Sequence, residues 1–441
     1  MFKRLLIANR GEIAVRIIRA CQELGIETVA VYSEADREAL HVRLADAAYP
    51  IGPADAEESY LNGPAIVAAA LAVKADAVHP GYGFLSENAA FAELVSASGL
   101  VFVGPRAETI RQVGNKDAAR SAMERAGLPM VRGSAPASDI FEICRLAEEI
   151  GYPVILKPAA GGGGNGIRVA HGSDEIVQAA KMAIAAGTAY FLEKYIADAR
   201  HIEVQIVADN YGRIIHLGER ECSLQRRNQK VLEEAPSSAL TPAMRQRVGE
   251  LAVRAAQSVG YNNIGTVEFL LDKRSGEFYF MEINPRIQVE HGITEAITGV
   301  DLVKTQLRLA AGEPLALRQA DVVISGHAIE CRINAEDPAK GFMPWPGQIA
   351  FYHQPGGPGV RVDSGVCAGS EVQLYYDSLI AKVIAHGRTR DEAIGIMGRA
   401  LAEYRITGVQ TTIGFHRQLL ADADFRRGDV DTQFVSRRLV S

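Results

Sequence analysis

The sequence lacks the features that mark several common protein classes. Its five cysteines form no Cys-x-x-Cys pair and leave one unmatched, so neither a disulfide framework nor a zinc knuckle is indicated. The longest uncharged aliphatic stretch, residues 65–73, is too short to span a bilayer. We therefore expect reduced thiols, no membrane contact and a cytoplasmic location, or an organelle matrix.

An excess of basic residues is also missing. The net charge of -6 opposes a nucleic-acid surface, so no nucleic-acid partner is expected, and an anionic substrate must be held by local cations and backbone amides. A chain of 441 residues is longer than a single hydrophobic core usually organises. A composition of 48% hydrophobic and 23% charged residues is typical of a globular chain. Two or three packed units are expected.

Strands and helices alternate at the start of the chain. Residues 3–8 read as a buried strand, and apolar residues at helical spacing predict a helix over 12–24. Further strands are predicted at 27–32, 75–79 and 101–103. This alternation predicts a parallel sheet with crossover helices, a nucleotide-type α/β fold, over residues 1–114.

The rest of the chain has an α+β pattern. Residues 115–320 combine helices at 117–126 and 242–259 with a short strand at 154–157 and strand-rich segments at 189–217 and 265–283. Residues 321–441 turn mainly β, with strands at 326–333, 348–352, 360–362 and 379–385. One helix follows, and Thr389 and Glu392 mark its start at capping-box spacing.

Polar residues alternate with Ile, Pro or Val over residues 282–290. In an extended chain the even positions share one face. These positions are Glu282, Asn284, Arg286, Gln288 and Glu290. A strand at 266–271 precedes the segment, and antiparallel pairing about Ser275 would set Glu268 directly opposite Glu282.

The predicted pairing brings the carboxylates of Glu268 and Glu282 together, with Cβ atoms about 5 Å apart. Two such groups repel each other unless a proton or a cation lies between them. A divalent metal is the better explanation, because Asn284 adds a third oxygen ligand and Mg²⁺ or Mn²⁺ prefers oxygen ligands completed by phosphates. The alternative is a solvated hairpin face with incidental acids.

A glycine run follows Lys157, which ends the predicted strand at 154–157. The backbone amides of Gly162, Gly163 and Gly164 could cover phosphates that the Lys157 ammonium reaches. The order differs from a Walker loop, in which the lysine follows the last glycine and opens a helix. A flexible hairpin is at least as good a reading of this segment alone.

Several motifs together resemble a known superfamily and one family within it. Lys157-Pro158 before the glycines, Glu193-Lys194-Tyr195 after a strand, and the Glu268, Glu282 and Asn284 set resemble the ATP-grasp superfamily. The stretches HPGYGFLSEN at 79–88, QRRNQK at 225–230, RIQVEH at 286–291 and ECRINAEDP at 330–338 resemble biotin carboxylase, which uses MgATP and bicarbonate to carboxylate biotin. This resemblance runs from end to end of the chain.

The resemblance implies three domains and a set of residue roles. The domains are an N-terminal biotin carboxylase domain over 1–114, an ATP-grasp domain over 115–320 with a hinged glycine-loop lid at about 131–200, and a β-rich C-terminal domain over 321–441. The implied ATP contacts are Lys116, Lys157, Gly162, Gly163, Gly164, Glu193, Lys194, His201, Gln225, Glu268 and Glu282. Two Mg²⁺ or Mn²⁺ ions would be bound by Glu268, Glu282 and Asn284. Bicarbonate would be bound by Lys230, Arg286, Gln288, Val289 and Glu290, and biotin by Tyr82, Arg332 and Asp377.

The resemblance also implies a mechanism carried by Glu290, Arg286, Lys230 and Arg332. Glu290, ionised near Arg286 and Lys230, would take the proton of bicarbonate as it attacks the γ-phosphate, which gives carboxyphosphate. That intermediate would release CO₂ and phosphate in a closed site, and the phosphate would deprotonate the ureido nitrogen of biotin. Arg332, with Arg286 nearby, would stabilise the charge on the ureido oxygen.

Two positions depart from the family pattern. Asn228 stands where the family usually has His, and Asn165 stands where an Arg commonly follows the glycines. Both remove a cation near the phosphates, which puts nucleotide affinity in question more than reaction type. A nucleotide-binding regulatory protein without turnover is therefore one alternative. Another ATP-grasp ligase, such as a purine-pathway carboxylate ligase or carbamoyl-phosphate synthase, is the other.

The expected partners follow from two absences in the sequence. It contains no Ala-Met-Lys-Met biotinylation site and no carboxyltransferase region, so we expect the biotin carboxyl carrier protein and the carboxyltransferase on separate chains. The resemblance makes acetyl-CoA the default acceptor, in fatty acid synthesis, with pyruvate, propionyl-CoA or another acyl acceptor as the alternative. It also makes the first helix, with Arg16, Arg19 and Glu23, a homodimer contact, although charges at this spacing usually mark a solvated face.

Overall fold

Three main sheets organise the molecule. A computed structural model describes residues 1–158, 166–185, 187 and 189–439, and its principal sheets have five, three and eight strands. None of the helices in these ranges has both the length and the apolarity needed to cross a membrane.

The first sheet is parallel, as the alternating pattern predicts. Its strands are β1 (Arg4–Ile7), β2 (Glu27–Ser33), β3 (Ala47–Gly52), β4 (Ala77–His79) and β5 (Val101–Phe102), in the order β3-β2-β1-β4-β5. The helices beside them are α1 (Gly11–Glu23), α2 (Leu40–Leu44), α3 (Gly63–Ala72), α4 (Ala89–Ala97) and α5 (Ala107–Gly114). Buried residues of β1 and α1 pack with Val207, Leu217 and Leu302 from later in the chain, so this sheet shares a core with the middle region.

Helix α1 is not a plain solvated face. The Arg16 side chain is buried and pairs with Glu295 at 2.9 Å and Asp301 at 2.7 Å, whereas Arg19 and Glu23 are exposed. The prediction of a solvated face is therefore wrong for Arg16, because this side chain packs against residues that lie far away in the sequence.

A small unit, here called the lid unit, follows α6 (Lys116–Arg125). It consists of α7 (Ile140–Ile150), β6 (Val154–Pro158), β7 (Arg168–Ala170), α8 (Ser173–Ala185) and β8 (Tyr190–Lys194), with antiparallel strands in the order β7-β6-β8. Its buried residues form a cluster of their own, which includes Ile143, Leu156 and Leu192. The glycine run joins two paired strands, β6 and β7, but Gly162, Gly163, Gly164 and Asn165 lie outside the described residues.

The largest sheet is antiparallel and spans the middle and C-terminal regions. Its first strands are β9 (Ala199–Ala208), β10 (Ile214–Arg226), β11 (Gln229–Ala235), β12 (Asn263–Asp272) and β13 (Phe278–Asn284), and the helices in and after this region are α9 (Pro242–Ser258), α10 (His291–Thr298) and α11 (Leu302–Ala310). The C-terminal strands are β14 (His327–Asn334), β15 (Glu336–Asp337), β16 (Met343–Pro344), β17 (Gly347–Gln348), β18 (Phe351–His353), β19 (Val360–Ser364), β20 (Glu371–Val372), β21 (Leu379–Gly387) and β22 (Arg405–Thr407). The eight-stranded order is β13-β12-β9-β10-β11-β14-β21-β19. Strands on both sides of residue 320 therefore share one ladder.

The C-terminal region is less uniformly β than expected. Helix α12 (Arg390–Glu403) is followed by α13 (Ile413–Ala421), α14 (Ala423–Arg426) and α15 (Phe434–Leu439), which were not predicted. The predicted strand at 348–352 is wrong as a single strand. The N–H of Ile349 bonds to Ser370 and that of Ala350 bonds to Thr407, so the chain changes partners between β17 and β18.

The segment over residues 282–290 is extended only at its start. Strand β13 ends at Asn284, because Pro285 has no N–H to continue the ladder. The chain then bends and enters α10 at His291. The continuous alternating face expected over nine residues is therefore wrong beyond Asn284, and the bend, rather than a strand, positions the later side chains.

Candidate active site

A row of carboxylates crosses three strands of the large sheet. Glu203 of β9 lies opposite Glu268 of β12, and Glu268 lies opposite Glu282 of β13. Residues directly opposite on antiparallel strands present their side chains to the same face. The predicted pairing of Glu268 with Glu282 is confirmed, and Glu203 is a third member that the sequence did not reveal.

The pairing of Glu268 with Glu282 depends on a bulge at Met281. Near the turn, Phe269 pairs with Phe280, and that register alone would set Glu268 opposite Met281. The register shifts between Glu268 and Phe269, so that Glu282 takes the opposite position. An extra residue in one strand re-aims the side chains that follow it, and here it places the second carboxylate in the row.

The ammonium of Lys230 connects the row to a further carboxylate. Its Nζ lies 2.7 Å from Glu203 Oε2, 3.1 Å from Glu268 Oε1 and 2.8 Å from Glu290 Oε1. Burial opposes the charge of Lys230, but these three carboxylates hold its pKa well above the ordinary value. The lysine is therefore a fixed positive charge at neutral pH.

The two carboxylates of the predicted metal pair have different partners. Glu268 Oε1 accepts hydrogen bonds from Asn284 Nδ2 at 2.9 Å and Gln288 Nε2 at 3.2 Å, and Glu268 Oε2 lies 3.0 Å from His201 Nε2. Burial would raise the pKa of Glu268, but Lys230 and His201 hold it well below its usual range. Desolvation and the charge of Glu268 raise the pKa of Glu282, whose carboxylate has no hydrogen-bond or ionic partner among the described residues.

This donor set fits a divalent cation. An unpartnered carboxylate at Glu282 faces the ionised Glu268, and a cation between them would relieve their repulsion. The Asn284 carboxamide lies beside them, with its Oδ1 3.1 Å from Arg286 Nη2. Carboxylate and amide oxygens are the ligands that Mg²⁺ and Mn²⁺ prefer.

Glu290 is fully buried between two cations. Its Oε1 lies 2.8 Å from Lys230 Nζ, and its Oε2 accepts from Arg332 Nη2 at 2.9 Å. Arg332 Nε also donates to Glu233 Oε1 at 2.6 Å. Arg286, which was expected beside Glu290, instead pairs with Glu87 at 2.6 Å and donates to Gln288 Oε1 at 2.6 Å. The second cation on Glu290 is therefore Arg332.

A buried polar chain ties Tyr82 to the segment that carries Glu290. Lys382 Nζ donates to the Val289 carbonyl and lies 3.2 Å from Glu12 Oε1. The Tyr82 hydroxyl donates to the same Glu12 oxygen. Asp377, the other predicted biotin contact, is exposed and accepts from the Leu379 N–H at 2.8 Å.

The predicted nucleotide residues form two groups. On the lid unit, Lys157 Nζ lies 2.5 Å from Glu193 Oε2, and Lys116 Nζ lies 3.5 Å from the Pro158 carbonyl. Lys194, next along β8 and so on its other face, donates to the Gly151 and Tyr152 carbonyls. On the large sheet, His201 Nδ1 lies 2.9 Å from Gln225 Nε2, which links both residues to Glu268.

Several residues that support the site were not predicted. Arg220 is fully buried and donates to Glu203 and Gln205 at 2.7 Å, and Arg120 lies 3.2 Å from Glu193. Of these residues, Glu203 could most readily have been found from the sequence. It follows His201 by two residues, and alternate positions of a strand share a face. The Nε2 of His416 lies 2.6 Å from the Arg332 carbonyl.

The backbone explains one of the two departures from the family pattern. Arg227 and Asn228 form the two-residue connection between β10 and β11, where Arg226 pairs with Gln229. Both have positive φ, at 49° and 65°, as in the two-residue hairpin turns that favour Asn. Asn228 therefore suits the turn that delivers Lys230 to the acidic row.

The fold and the site define the class of protein. An antiparallel sheet carries an acidic row with a lysine across it, and a small α+β unit of the same chain has a lysine before a glycine-rich segment. This combination is that of an ATP-grasp ligase.

Comparisons with known proteins agree and narrow the class. Three family models match the chain: "Biotin carboxylase, N-terminal domain" over residues 1–110, "Carbamoyl-phosphate synthase L chain, ATP binding domain" over 115–318 and "Biotin carboxylase C-terminal domain" over 330–437. The chain belongs to the biotin carboxylase family, whose members are ATP-dependent carboxylating ligases.

Relatives of known name match almost the whole chain. Biotin carboxylase 1 of Bacillus subtilis is 56% identical over 99% of this chain and 98% of its own length. A crystal structure of the biotin carboxylase component of a pyruvate carboxylase is 48% identical over 100% and 99% of the two chains, with a TM-score of 0.87. A crystal structure of the biotin carboxylase domain dimer of Hydrogenobacter thermophilus 2-oxoglutarate carboxylase, with MgADP, ADP and bicarbonate, is 50% identical over 99% and 98% of the two chains, with a TM-score of 0.94.

Proposed function

We propose that this chain carboxylates biotin with MgATP and bicarbonate through Glu290, Lys230, Arg286 and Arg332. One observation carries the assignment: Glu290 is buried between Lys230 and Arg332, immediately beside the acidic row. The arrangement places a proton acceptor, two cations for an anionic substrate and metal ligands for a triphosphate in one continuous network of contacts. Each of these parts is needed to activate bicarbonate with ATP.

ATP is proposed to lie between the lid unit and the acidic row. Lys116 and Lys157 would contact its phosphates, with the backbone of Gly162, Gly163 and Gly164 above them. Glu193 and Lys194 would flank the adenine, and His201 and Gln225 would hold the ribose side. The contact of Lys157 with Glu193 supports this proposal, because it brings a phosphate ligand and an adenine neighbour onto one face of the lid sheet.

Two Mg²⁺ or Mn²⁺ ions are proposed on Glu268, Glu282 and Asn284. When bound, they would neutralise phosphate charge and hold the triphosphate in line for attack. The protein contributes the bulge that sets Glu282 opposite Glu268 and the amides of Asn284 and Gln288 that orient Glu268.

Substitution of Glu282 tests this metal site. Glu282→Gln should raise the Mg²⁺ concentration needed for half-maximal activity by about 10-fold or more, because a charged ligand becomes neutral. Its fold should be unchanged, since the side chain has no partner to lose among the described residues. Glu277→Gln, which alters an exposed carboxylate of the same hairpin, is the matched control. An unaltered Mg²⁺ dependence of Glu282→Gln would exclude this residue as a ligand.

The first chemical step is proposed to be attack of bicarbonate on the γ-phosphate. Bicarbonate would lie against Lys230, Arg286, Gln288 and the Val289 backbone, and Glu290 would remove its proton as its oxygen bonds to phosphorus. Lys230 contacts one oxygen of Glu290 and Arg332 contacts the other, which supports this placement of the base. Carboxyphosphate and ADP would be the products.

The second step would use biotin at Tyr82, Arg332 and Asp377. Carboxyphosphate would release CO₂ and phosphate, the phosphate would take the ureido proton, and CO₂ would bond to the ureido nitrogen. Arg332 would stabilise the developing charge on the ureido oxygen, a role worth about 3 kcal/mol for a well-placed donor. Its link to Glu290 supports this proposal, because one guanidinium would then face both half-steps.

The biological setting is also proposed. We infer a cytoplasmic homodimer that works with a separate biotin carboxyl carrier protein and a separate carboxyltransferase, and acetyl-CoA is the proposed acceptor. The exposed Arg19 and Glu23 of α1 support a contact between protomers on that helix. Pyruvate and 2-oxoglutarate are the alternative acceptors, because two of the relatives are parts of carboxylases named for these substrates.

A single assay separates the proposed reaction from its competitors. Free biotin should raise bicarbonate-dependent ADP release by the purified chain. A ligase that does not use biotin would release ADP without this stimulation, and a regulatory protein would release none. Either of those two results would refute the proposed reaction.

A further inference from the structure

Two buried carboxylates lie directly behind Arg332. Glu233 of β11 and Glu330 of β14 are opposite each other in the sheet, and neither has any exposed surface. Opposite side chains on antiparallel strands have Cβ atoms about 5 Å apart. Two ionised carboxylates in this position repel each other unless a cation or a proton separates them.

The hydrogen bonds of the two carboxylates differ. Glu233 Oε1 accepts from Arg332 Nε at 2.6 Å, while Glu233 Oε2 has no partner among the described residues. Both oxygens of Glu330 are without a partner in the part of the chain that the structure describes. A buried ionised carboxylate with no donor is strongly disfavoured, whereas a neutral carboxyl group has a donor of its own. The second oxygen of Glu233 is available to such a donor.

The cations near Glu330 are already engaged. Arg332 is bound by Glu233 and Glu290, and Lys382 is bound by the Val289 carbonyl and Glu12. The start of α10 closes the remaining side, because a Cβ on Gly292 would lie 3.5 Å from Glu330 Oε2. The charged and titratable groups around Glu330 and its pair partner are Glu233, Arg332, Lys382, Glu290, Glu12, Tyr82, Lys230, Arg361, Asp363, Cys222 and Cys331.

The acid strength of the pair agrees with this geometry. Burial raises the pKa of Glu330 well above its ordinary value, since Lys382 compensates it only in part and Glu233 adds to the effect. Burial also raises the pKa of Glu233 to about 7, although Arg332 opposes the shift.

We infer that Glu330 carries a proton in the folded enzyme and is a positioning residue, holding Glu233 on Arg332 without adding a negative charge behind the anion site. If it were ionised, Glu233, Glu290 and Glu330 would all compete for one guanidinium, which would weaken its attraction for bicarbonate and for the ureido oxygen. With the proton present, Arg332 faces two carboxylates only. The effect on bicarbonate rests on the proposed function, whereas the proton itself does not.

An infrared spectrum tests the proton without reference to activity. The folded wild-type protein should show the C=O stretch of a buried protonated carboxyl group at neutral pH, and the difference between this spectrum and that of Glu330→Gln should contain the band of Glu330. Glu234→Gln is the matched control, because Glu234 is equally buried on the adjacent position but is paired with His327 and Arg390. That variant should keep the band. A wild-type spectrum without the band, or a band of undiminished intensity in Glu330→Gln, would overturn the inference.

Kinetics test the positioning role. Glutamine at 330 is neutral and carries a donor, like the protonated carboxyl group, so Glu330→Gln should keep turnover within about 3-fold at neutral pH. Glu233→Gln should lower turnover by about 10-fold or more, because Arg332 loses its buried charged partner. If Glu330→Gln lowered turnover more than Glu233→Gln did, the proton would be on Glu233 and the assignment would be refuted.

The pH dependence gives a readout that a purely structural role would not move. The proton is present below the pKa of Glu330 and is lost as the pH rises through it. The KM for bicarbonate should therefore rise at alkaline pH in the wild type, and Glu330→Gln should flatten that rise. The same alkaline rise in both proteins would refute the role in the anion site. A band that behaves as expected, together with a KM for bicarbonate that is insensitive to Arg286→Gln, would instead refute the proposed bicarbonate site.

Discussion

Glu290→Gln is expected to bind MgATP normally and to lose bicarbonate-dependent ATP cleavage by about 10²–10⁴-fold, the usual contribution of a general base. The amide cannot take the proton of bicarbonate, although it keeps the size of the carboxylate. Nucleotide binding should survive, because Glu290 contacts Lys230 and Arg332 rather than the proposed metal ligands. ADP release and MgATP titration of the same preparation measure the two properties separately.

Two comparisons sharpen this test. Glu290→Asp retains a carboxylate that is drawn back by one methylene, so it should be more active than Glu290→Gln. Glu277→Gln makes the same chemical change at an exposed position and should behave as the wild type. Unchanged cleavage in Glu290→Gln would show that another group removes the proton.

Lys230→Met is expected to damage both activity and stability. The substitution leaves Glu203, Glu268 and Glu290 without their shared cation, and breaking a buried ion pair from one side lowers the free energy of unfolding by about 3–5 kcal/mol. Bicarbonate-dependent ADP release should fall by about 100-fold or more, because a fixed charge beside the reacting anion is lost. Urea unfolding and steady-state kinetics provide the two measurements.

The control is a lysine in a surface pair. Lys273 pairs with the exposed Asp429 at 2.7 Å, and Lys273→Met should change the free energy of unfolding by less than about 1 kcal/mol. Equal destabilisation by Lys230→Met and Lys273→Met would mean that the acidic row does not depend on its central ammonium.

Local patterns in the sequence were sufficient for much of the fold. The alternation of strands and helices predicted the parallel sheet, because the hydrophobic pattern of each of those elements can be recognised within about ten to fifteen residues. The separation of Glu268 from Glu282 predicted their pairing, since a hairpin relates residues that are close in the chain. The bulge at Met281 could not be predicted, because no local pattern distinguishes the two registers.

The rest of the site depends on contacts between distant segments. Glu290 and Arg332 are 42 positions apart, and they meet because β14 joins a sheet begun by much earlier strands. The partner of Arg332, Glu233, lies 99 positions before it. The resemblance supplied the expected roles of these residues, but it did not give the position of Arg286 or the contribution of Glu203 and Glu233.

The division of the molecule between one long ladder and a separate lid unit limits how the reaction can be organised. Strands β12 and β14 are four strand spacings apart in the sheet, or roughly 19 Å at the backbone. Hydrogen bonds between neighbouring strands hold that spacing, and the lid unit has a separate three-stranded sheet. Lys230 and Glu290 bridge that span on the face of the sheet, from Glu268 of β12 to Arg332 of β14, so both half-steps proposed for the enzyme would take place along one continuous line of charged side chains.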